Sequence, residues 1–141
     1  MIAKLSGSGK NGARFGASLV DVGDIDGDGY NDVAVGAPYD AKGAGCVYIF
    51  QGSIGGLHAH ASQIICGDQF EPALRGFGFS LAGGVDVDFN DYSDVAVGAH
   101  LSDAVVFLPA RPVIRLEGLV LAFQSETLTL DKHVGYPSNS S

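Results

Sequence analysis

Four aspartates, Asp24, Asp26, Asp28 and Asp32, fall within one nine-residue run, Asp24-Ile25-Asp26-Gly27-Asp28-Gly29-Tyr30-Asn31-Asp32. A worn copy, Asp86-Val87-Asp88-Phe89-Asn90-Asp91-Tyr92-Ser93-Asp94, lies 62 positions downstream. A hard dication such as calcium takes about six to eight oxygen ligands at roughly 2.3–2.6 Å, and one tightly curled segment can supply them from carboxylates, amides and backbone carbonyls. The spacing therefore predicts two calcium ions, one per loop. In the first, Asp24, Asp26, Asp28 and Asp32 give side-chain oxygens and Tyr30 gives its backbone carbonyl. In the second, Asp86, Asp88, Asn90 and Asp94 do the same with the carbonyl of Tyr92. Asp, Asn and Gly are also ordinary turn residues, but two copies in register on the same flanking sequence favour the cage.

Gly29 is expected at a positive φ, where a missing Cβ removes the steric penalty. Its counterpart is Asp91, and aspartate enters that region more readily than most residues. Asn90 leaves the second loop one carboxylate short, so weaker binding is expected there. A helix-loop-helix calcium module begins similarly but places a bidentate glutamate at the twelfth position. Here those positions are Val35 and Val97, in alternating apolar segments that read as strands. Each loop therefore joins two strands, and its ninth-position aspartate closes the cage.

The repeat extends beyond the loops. Phe15-Gly16 matches Phe77-Gly78, and Asp32-Val33-Ala34-Val35-Gly36-Ala37 matches Asp94-Val95-Ala96-Val97-Gly98-Ala99, again 62 apart. In the first unit two more strand-like runs follow, Cys46 to Phe50 and Gln63 to Cys66. Four short β-branched or aromatic runs separated by Gly-rich turns describe one blade of a β-propeller. The expected fold is all-β: a partial propeller of two four-stranded blades. Two blades do not close a ring, so the chain reads as part of something larger.

Composition narrows the function. The formal charge is -8, from 16 acidic and 8 basic residues, with much of the excess inside the loops. That balance argues against nucleic acid, which needs clustered Lys and Arg. No apolar run reaches the roughly 18–20 residues that span a bilayer. Cys46 and Cys66 face each other if the connection from Gln51 to Ala61 is a hairpin; a disulfide and two buried thiols are equally compatible with this placement.

Phe15-Gly16, the run from Asp24 to Asp32, and Gly36-Ala37-Pro38, in that order, resemble the FG-GAP repeats of integrin alpha subunits over about residues 13 to 108. The segment Val105-Val106-Phe107-Leu108 followed by Ala110-Arg111-Pro112-Val113-Ile114 looks like the exit from the last blade of that family into its thigh β-sandwich. The resemblance implies an outer strand of a preceding blade in residues 1–12, blades with calcium loops in 13–74 and 75–110, and the first strands of a sandwich in 111–141. It also implies the extracellular part of a single-pass cell-surface receptor without enzymatic activity. Such a head pairs with an integrin beta subunit to bind matrix or cell-surface ligands, and meets the membrane only through parts absent from this chain. Gly98-Ala99-His100 departs from the usual proline ending. An accessory propeller of a secreted hydrolase, such as a glycolipid-anchor-specific phospholipase, is the alternative; the Arg111-Pro112-Val113-Ile114 exit disfavours it.

Other signals are weaker. Gly7-Ser8-Gly9-Lys10-Asn11 lacks the first glycine and the Ser or Thr of a phosphate loop. His58 and His60 have no cysteine or acid at metal-site spacing and read as a solvated loop. No Gly-x-Ser-x-Gly elbow is present. Asn139-Ser140-Ser141 is a glycan acceptor if the chain is secreted.

Overall fold

A computed structural model describes residues 3–115, 118–123 and 128–130, with side chains for 3–110. The first repeat forms strands β1 (Ser18–Gly23), β2 (Asp32–Ala37) and β3 (Cys46–Phe50). After a small hairpin of β4 (Gly52–Ser53) and β5 (Gly56–Leu57) comes β6 (Gln63–Cys66). The blade is an antiparallel sheet in the order β1-β2-β3-β6. The second repeat supplies β7 (Phe77–Val85), β8 (Asp94–Ala99) and β9 (Ala104–Leu108). Then β10 (Ala110–Arg115) and β11 (Gly118–Phe123) form a separate two-stranded sheet, and β12 (Leu128–Leu130) returns to pair with β9. The described residues contain no α-helix, so none is long and apolar enough to cross a membrane.

Two expectations need adjustment. Residues 3–12 carry no strand, so the outer strand expected in residues 1–12 is not seen in its described part. The segment assigned to a following sandwich instead gives its last described strand, β12, to the second blade as that blade's fourth strand. A three-stranded sheet has an unpaired edge that can hydrogen-bond to any strand in reach, and β12 occupies it. The Asn139 acceptor lies outside the described residues.

The alternation of the strands builds two cores from one sheet. Successive residues of a strand face opposite sides. Val35, Ala37, Cys46, Tyr48 and Phe50 therefore bury on one face of the first blade, where Leu5 and Phe15 cover them. Ala34, Val47 and Ile49 bury on the other, against Phe77, Val95, Val97, Val106 and Leu108 of the second blade. The two Phe-Gly phenylalanines do the same job one blade apart. Phe15 packs edge-on to Tyr48 and Phe50 at 5.3 and 6.0 Å between centroids, and Phe77 is fully buried between the blades beside Phe70. The far face of the second blade, with Ala82, Val85, Ala96 and Phe107, lines an open apolar hollow. Its Ala96 is the repeat equivalent of Ala34, which the next blade covers.

The blades approach to backbone contact at Gly36. A Cβ there would land on the Gly78 carbonyl oxygen, which already accepts from Ser18 Oγ at 2.8 Å. Cys46 and Cys66 are directly opposite in the β3–β6 register and form a disulfide, which settles the alternative left open by the sequence.

A buried polar knot ties the entry segment to the first blade. Asp40 accepts from Ser8 Oγ and from the Ala41 N–H, each at 2.9 Å, and from the Tyr48 hydroxyl. Burial alone would raise the Asp40 pKa, but the Tyr48, Ala41 and Ser8 bonds and nearby Lys10 outweigh it and hold it below the ordinary carboxylate range. Burial, then the bond to Asp40, pushes Tyr48 above the ordinary phenol range. A depressed folded pKa at Asp40 contributes stability that is present above about pH 4 and lost as the pH falls through the lowered value. The raised Tyr48 contributes stability that is lost as the pH climbs past about 10. Tyr48→Phe should therefore lose less stability between pH 7 and pH 3 than the unaltered protein. Denaturant midpoints at the two pH values test this, and equal losses would refute it.

Candidate metal centre

The first loop is the β1–β2 connection and the second the β7–β8 connection, so each cage is slung between the first two strands of its blade, as the spacing predicts. The strands fix the loop ends in register, with Gly23 opposite Asp32 and Val85 opposite Asp94.

Inside the first loop, Asp24 organises the curl. Its Oδ1 accepts from the N–H groups of Gly27 and Asp28 at 2.8 and 3.0 Å, and its Oδ2 from Gly29 at 2.7 Å. Asp26 Oδ1 accepts from Asp28 N–H at 3.2 Å, and Asp28 Oδ1 from Tyr30 N–H at 2.9 Å. Carboxylate oxygens of Asp24, Asp26 and Asp28 lie within 4.8 Å of one another. Asp32, with 0% of its surface exposed, also ties down backbone through one bond to each oxygen: Oδ2 accepts from Ile25 N–H at 2.9 Å and Oδ1 from Gly52 N–H at 2.8 Å.

The second loop repeats this wiring. Asp86 accepts from the N–H groups of Asn90 and Asp91 at 3.0 and 2.7 Å, and Asn90 Oδ1 from Tyr92 N–H at 3.0 Å. Asp94 Oδ2 accepts from Val87 N–H at 2.7 Å and Oδ1 from Ala110 N–H at 3.0 Å. Oxygens of Asp86, Asp88 and Asp94 lie within 4.8 Å of one another. Tyr30 and Tyr92, whose carbonyls the sequence nominates, are each bonded through the N–H to the side chain two positions earlier, Asp28 and Asn90.

The backbone follows the expectation at Gly29 (φ 92) and Asp91 (φ 71). The sequence reading missed a second pair, Gly27 (φ 78) and Phe89 (φ 59). An aromatic residue at positive φ is a steric outlier, and Phe89 is 89% exposed. The repeat offset that aligns Phe89 with Gly27 was the signal available. The reading also missed that Asp32 and Asp94 clamp a distant backbone N–H, at Gly52 and Ala110. That depends on where the third strand of each blade ends, which the loop motif does not encode.

Electrostatics show what the carboxylates cost one another. Burial would raise Asp24, but the N–H bonds from Gly29, Gly27 and Asp28 outweigh it and lower its pKa. Asp26 is pushed up to about 6, first by lost hydration and then by the charges of Asp32 and Asp28, against the Asp28 N–H bond. Asp32 is also raised, by burial foremost, despite the Gly52 and Ile25 bonds, with Asp28 and Asp24 adding repulsion. Hydrogen bonds to backbone N–H thus compensate Asp24 and leave Asp26 and Asp32 short of positive charge. An all-oxygen set with such a deficit fits a hard divalent cation.

A family model described as FG-GAP repeat matches residues 16–50, spanning β1, the first loop, β2 and β3. The chain is 49% identical to integrin alpha-PS2 of Drosophila melanogaster over 123 residues, 84% of this chain and 9% of that protein. It is 45% identical to integrin alpha-4 of Xenopus laevis over 117 residues (83% and 11%), and 43% identical to integrin alpha-6 of Gallus gallus over 125 residues (89% and 11%). The first blade is an FG-GAP repeat, and over most of its length this chain is similar to integrin alpha subunits. The integrin alpha likeness reaches well beyond the family-model match, through the second loop and β8 to β9. The chain spans about a tenth of the length of the curated integrin alpha subunits it matches.

Proposed function

We propose that the two loops each hold a calcium ion that braces a β-propeller in the extracellular head of an integrin alpha subunit, a nonenzymatic adhesion receptor at the cell surface. The observation that carries this reading is the duplication of one wiring scheme. Asp24 and Asp86 curl their loops through backbone N–H bonds, and each loop brings three carboxylates within 4.8 Å. Asp24, Asp26, Asp28, Asp32 and the Tyr30 carbonyl would hold one ion; Asp86, Asp88, Asn90, Asp94 and the Tyr92 carbonyl would hold the other. When bound, the cation supplies the positive charge that the clustered carboxylates lack. The chain's own residues fix the β1–β2 and β7–β8 corners, and so hold the faces that pack blade on blade.

The resemblance to integrin alpha subunits extends this reading to pairing with an integrin beta subunit and binding of a matrix or cell-surface protein by the assembled head. The open apolar face of the second blade fits further blades around a ring, as the repeat equivalence of Ala96 and Ala34 requires.

The test is calorimetric titration of the full-length protein with calcium, together with the thermal midpoint of its propeller in calcium and in excess chelator. A ligand that binds only the folded state adds about 2.7 kcal/mol at a hundred times its Kd. A measurable rise in the midpoint is expected, and an unchanged midpoint would refute the reading. Asp88→Ala, which leaves the first loop intact, should retain tighter binding than Asp26→Ala, which leaves the second.

A further inference from the structure

The two loops differ at one cage position in a way the cation does not require: Asp28 in the first, Asn90 in the second. Both side chains accept the same turn bond, from Tyr30 N–H at 2.9 Å and from Tyr92 N–H at 3.0 Å. Asn90 then does what an ionised carboxylate cannot. Its Nδ2 donates to the Ala110 carbonyl at 2.9 Å. The Ala110 N–H already donates to Asp94 Oδ1 at 3.0 Å, so both backbone polar groups of Ala110 are held by second-loop residues.

Ala110 is fully buried and is the first residue of β10, the strand by which the chain leaves the second blade. The corresponding first-loop bond, Gly52 N–H to Asp32 Oδ1 at 2.8 Å, holds the start of the β4–β5 hairpin, after which the chain returns to the same sheet as β6. One aspartate clamp thus secures an internal turn in the first blade and the exit in the second. The amide grip is added at the exit.

We propose that Asn90 couples cation binding at the second loop to the path of the chain beyond Ala110. The proposal rests on the calcium reading of that loop. Oδ1 belongs to the cage and Nδ2 to the exit strand, so fixing one end of a planar amide fixes the other. With the cation bound, the amide is held in the orientation that grips Ala110. Without it, repulsion among Asp86, Asp88 and Asp94 loosens the loop and the grip together. The first loop has no such route to the exit strand.

The experiment is hydrogen exchange of residues 109–115 in the full-length protein, with saturating calcium and with chelator, for the unaltered chain and for Asn90→Asp, Asn90→Ala and Asp28→Asn. Asn90→Asp keeps a cage oxygen and loses the donor. It should bind calcium at least as well, yet exchange this segment roughly fivefold faster at saturating calcium, the scale of one lost hydrogen bond. Asn90→Ala should lose both binding strength and protection, and Asp28→Asn should leave the segment unchanged. Calcium binding by Asn90→Asp with unaltered protection overturns the coupling alone. Failure of Asn90→Asp to bind overturns the placing of Asn90 in the cage, and the coupling with it. If titration of the unaltered protein shows no calcium binding, the cation reading falls and takes the coupling along.

Discussion

Asp32→Ala should destabilise the first blade by roughly 3–5 kcal/mol even in excess chelator, before any contribution from a cation. The side chain is wholly buried and accepts from two backbone N–H groups, at Ile25 and Gly52. Alanine leaves both donors without a partner, and each unsatisfied buried donor costs about 1–3 kcal/mol. Asp32→Asn keeps one acceptor but sets an amide N–H against the other donor, so an intermediate loss is expected. Asp94→Ala should behave alike in the second blade, through Val87 and Ala110. Guanidinium unfolding of the propeller within the intact protein measures all three. A loss under about 1 kcal/mol for Asp32→Ala would show that these bonds are replaced by water and that the burial assigned to Asp32 is wrong.

The second large effect separates two glycines that the repeat makes equivalent. At Gly36 an added methyl meets the Gly78 backbone of the neighbouring blade and the Ser18 hydroxyl; at Gly98 the nearest obstacle is the Ser80 hydroxyl, on its own sheet. A hydroxyl at the end of a side chain can turn away, whereas a carbonyl in a buried interface cannot move without its strand. Gly36→Ala should therefore cost roughly 3 kcal/mol, the upper part of the range for overpacking, by wedging the blades apart. Gly98→Ala in this chain should cost under about 1 kcal/mol. Equal costs would mean that the blades do not meet at Gly36.

Much of the architecture could be read from the residues because it is written twice. The β2 and β8 segments are identical at all six positions, and the spacing of 62 carries one assignment to the other. The first blade's third and fourth strands were legible from β-branched and aromatic runs, and their pairing from the symmetric placement of Cys46 and Cys66. The fourth strand of the second blade was not legible. Leu128–Leu130 is three residues long and lies beyond an intervening hairpin, so its partner is decided by which sheet edge is open rather than by local pattern.

The cage residues were legible for the same reason, but their division of labour was not. Alternation along a curled loop nominates oxygens without saying which are committed to the backbone. Asp32 and Asp94 are so committed, and the acceptors' partners at Gly52 and Ala110 lie 20 and 16 positions away. The Asp40–Tyr48–Ser8 knot was invisible for a related reason: Ser8 is 32 positions from Asp40, and nothing in either neighbourhood marks the pairing.

The late arrival of β12 has a kinetic consequence. The first blade draws all four strands from a continuous stretch and is stapled at its rim by Cys46–Cys66. The second must wait until Leu128 has been synthesised, twenty positions after Leu108 ends β9, and a longer excursion costs more entropy to close. During synthesis the β9 rim therefore stands open until β12 arrives, and it is a place where a stray strand from a neighbour can pair.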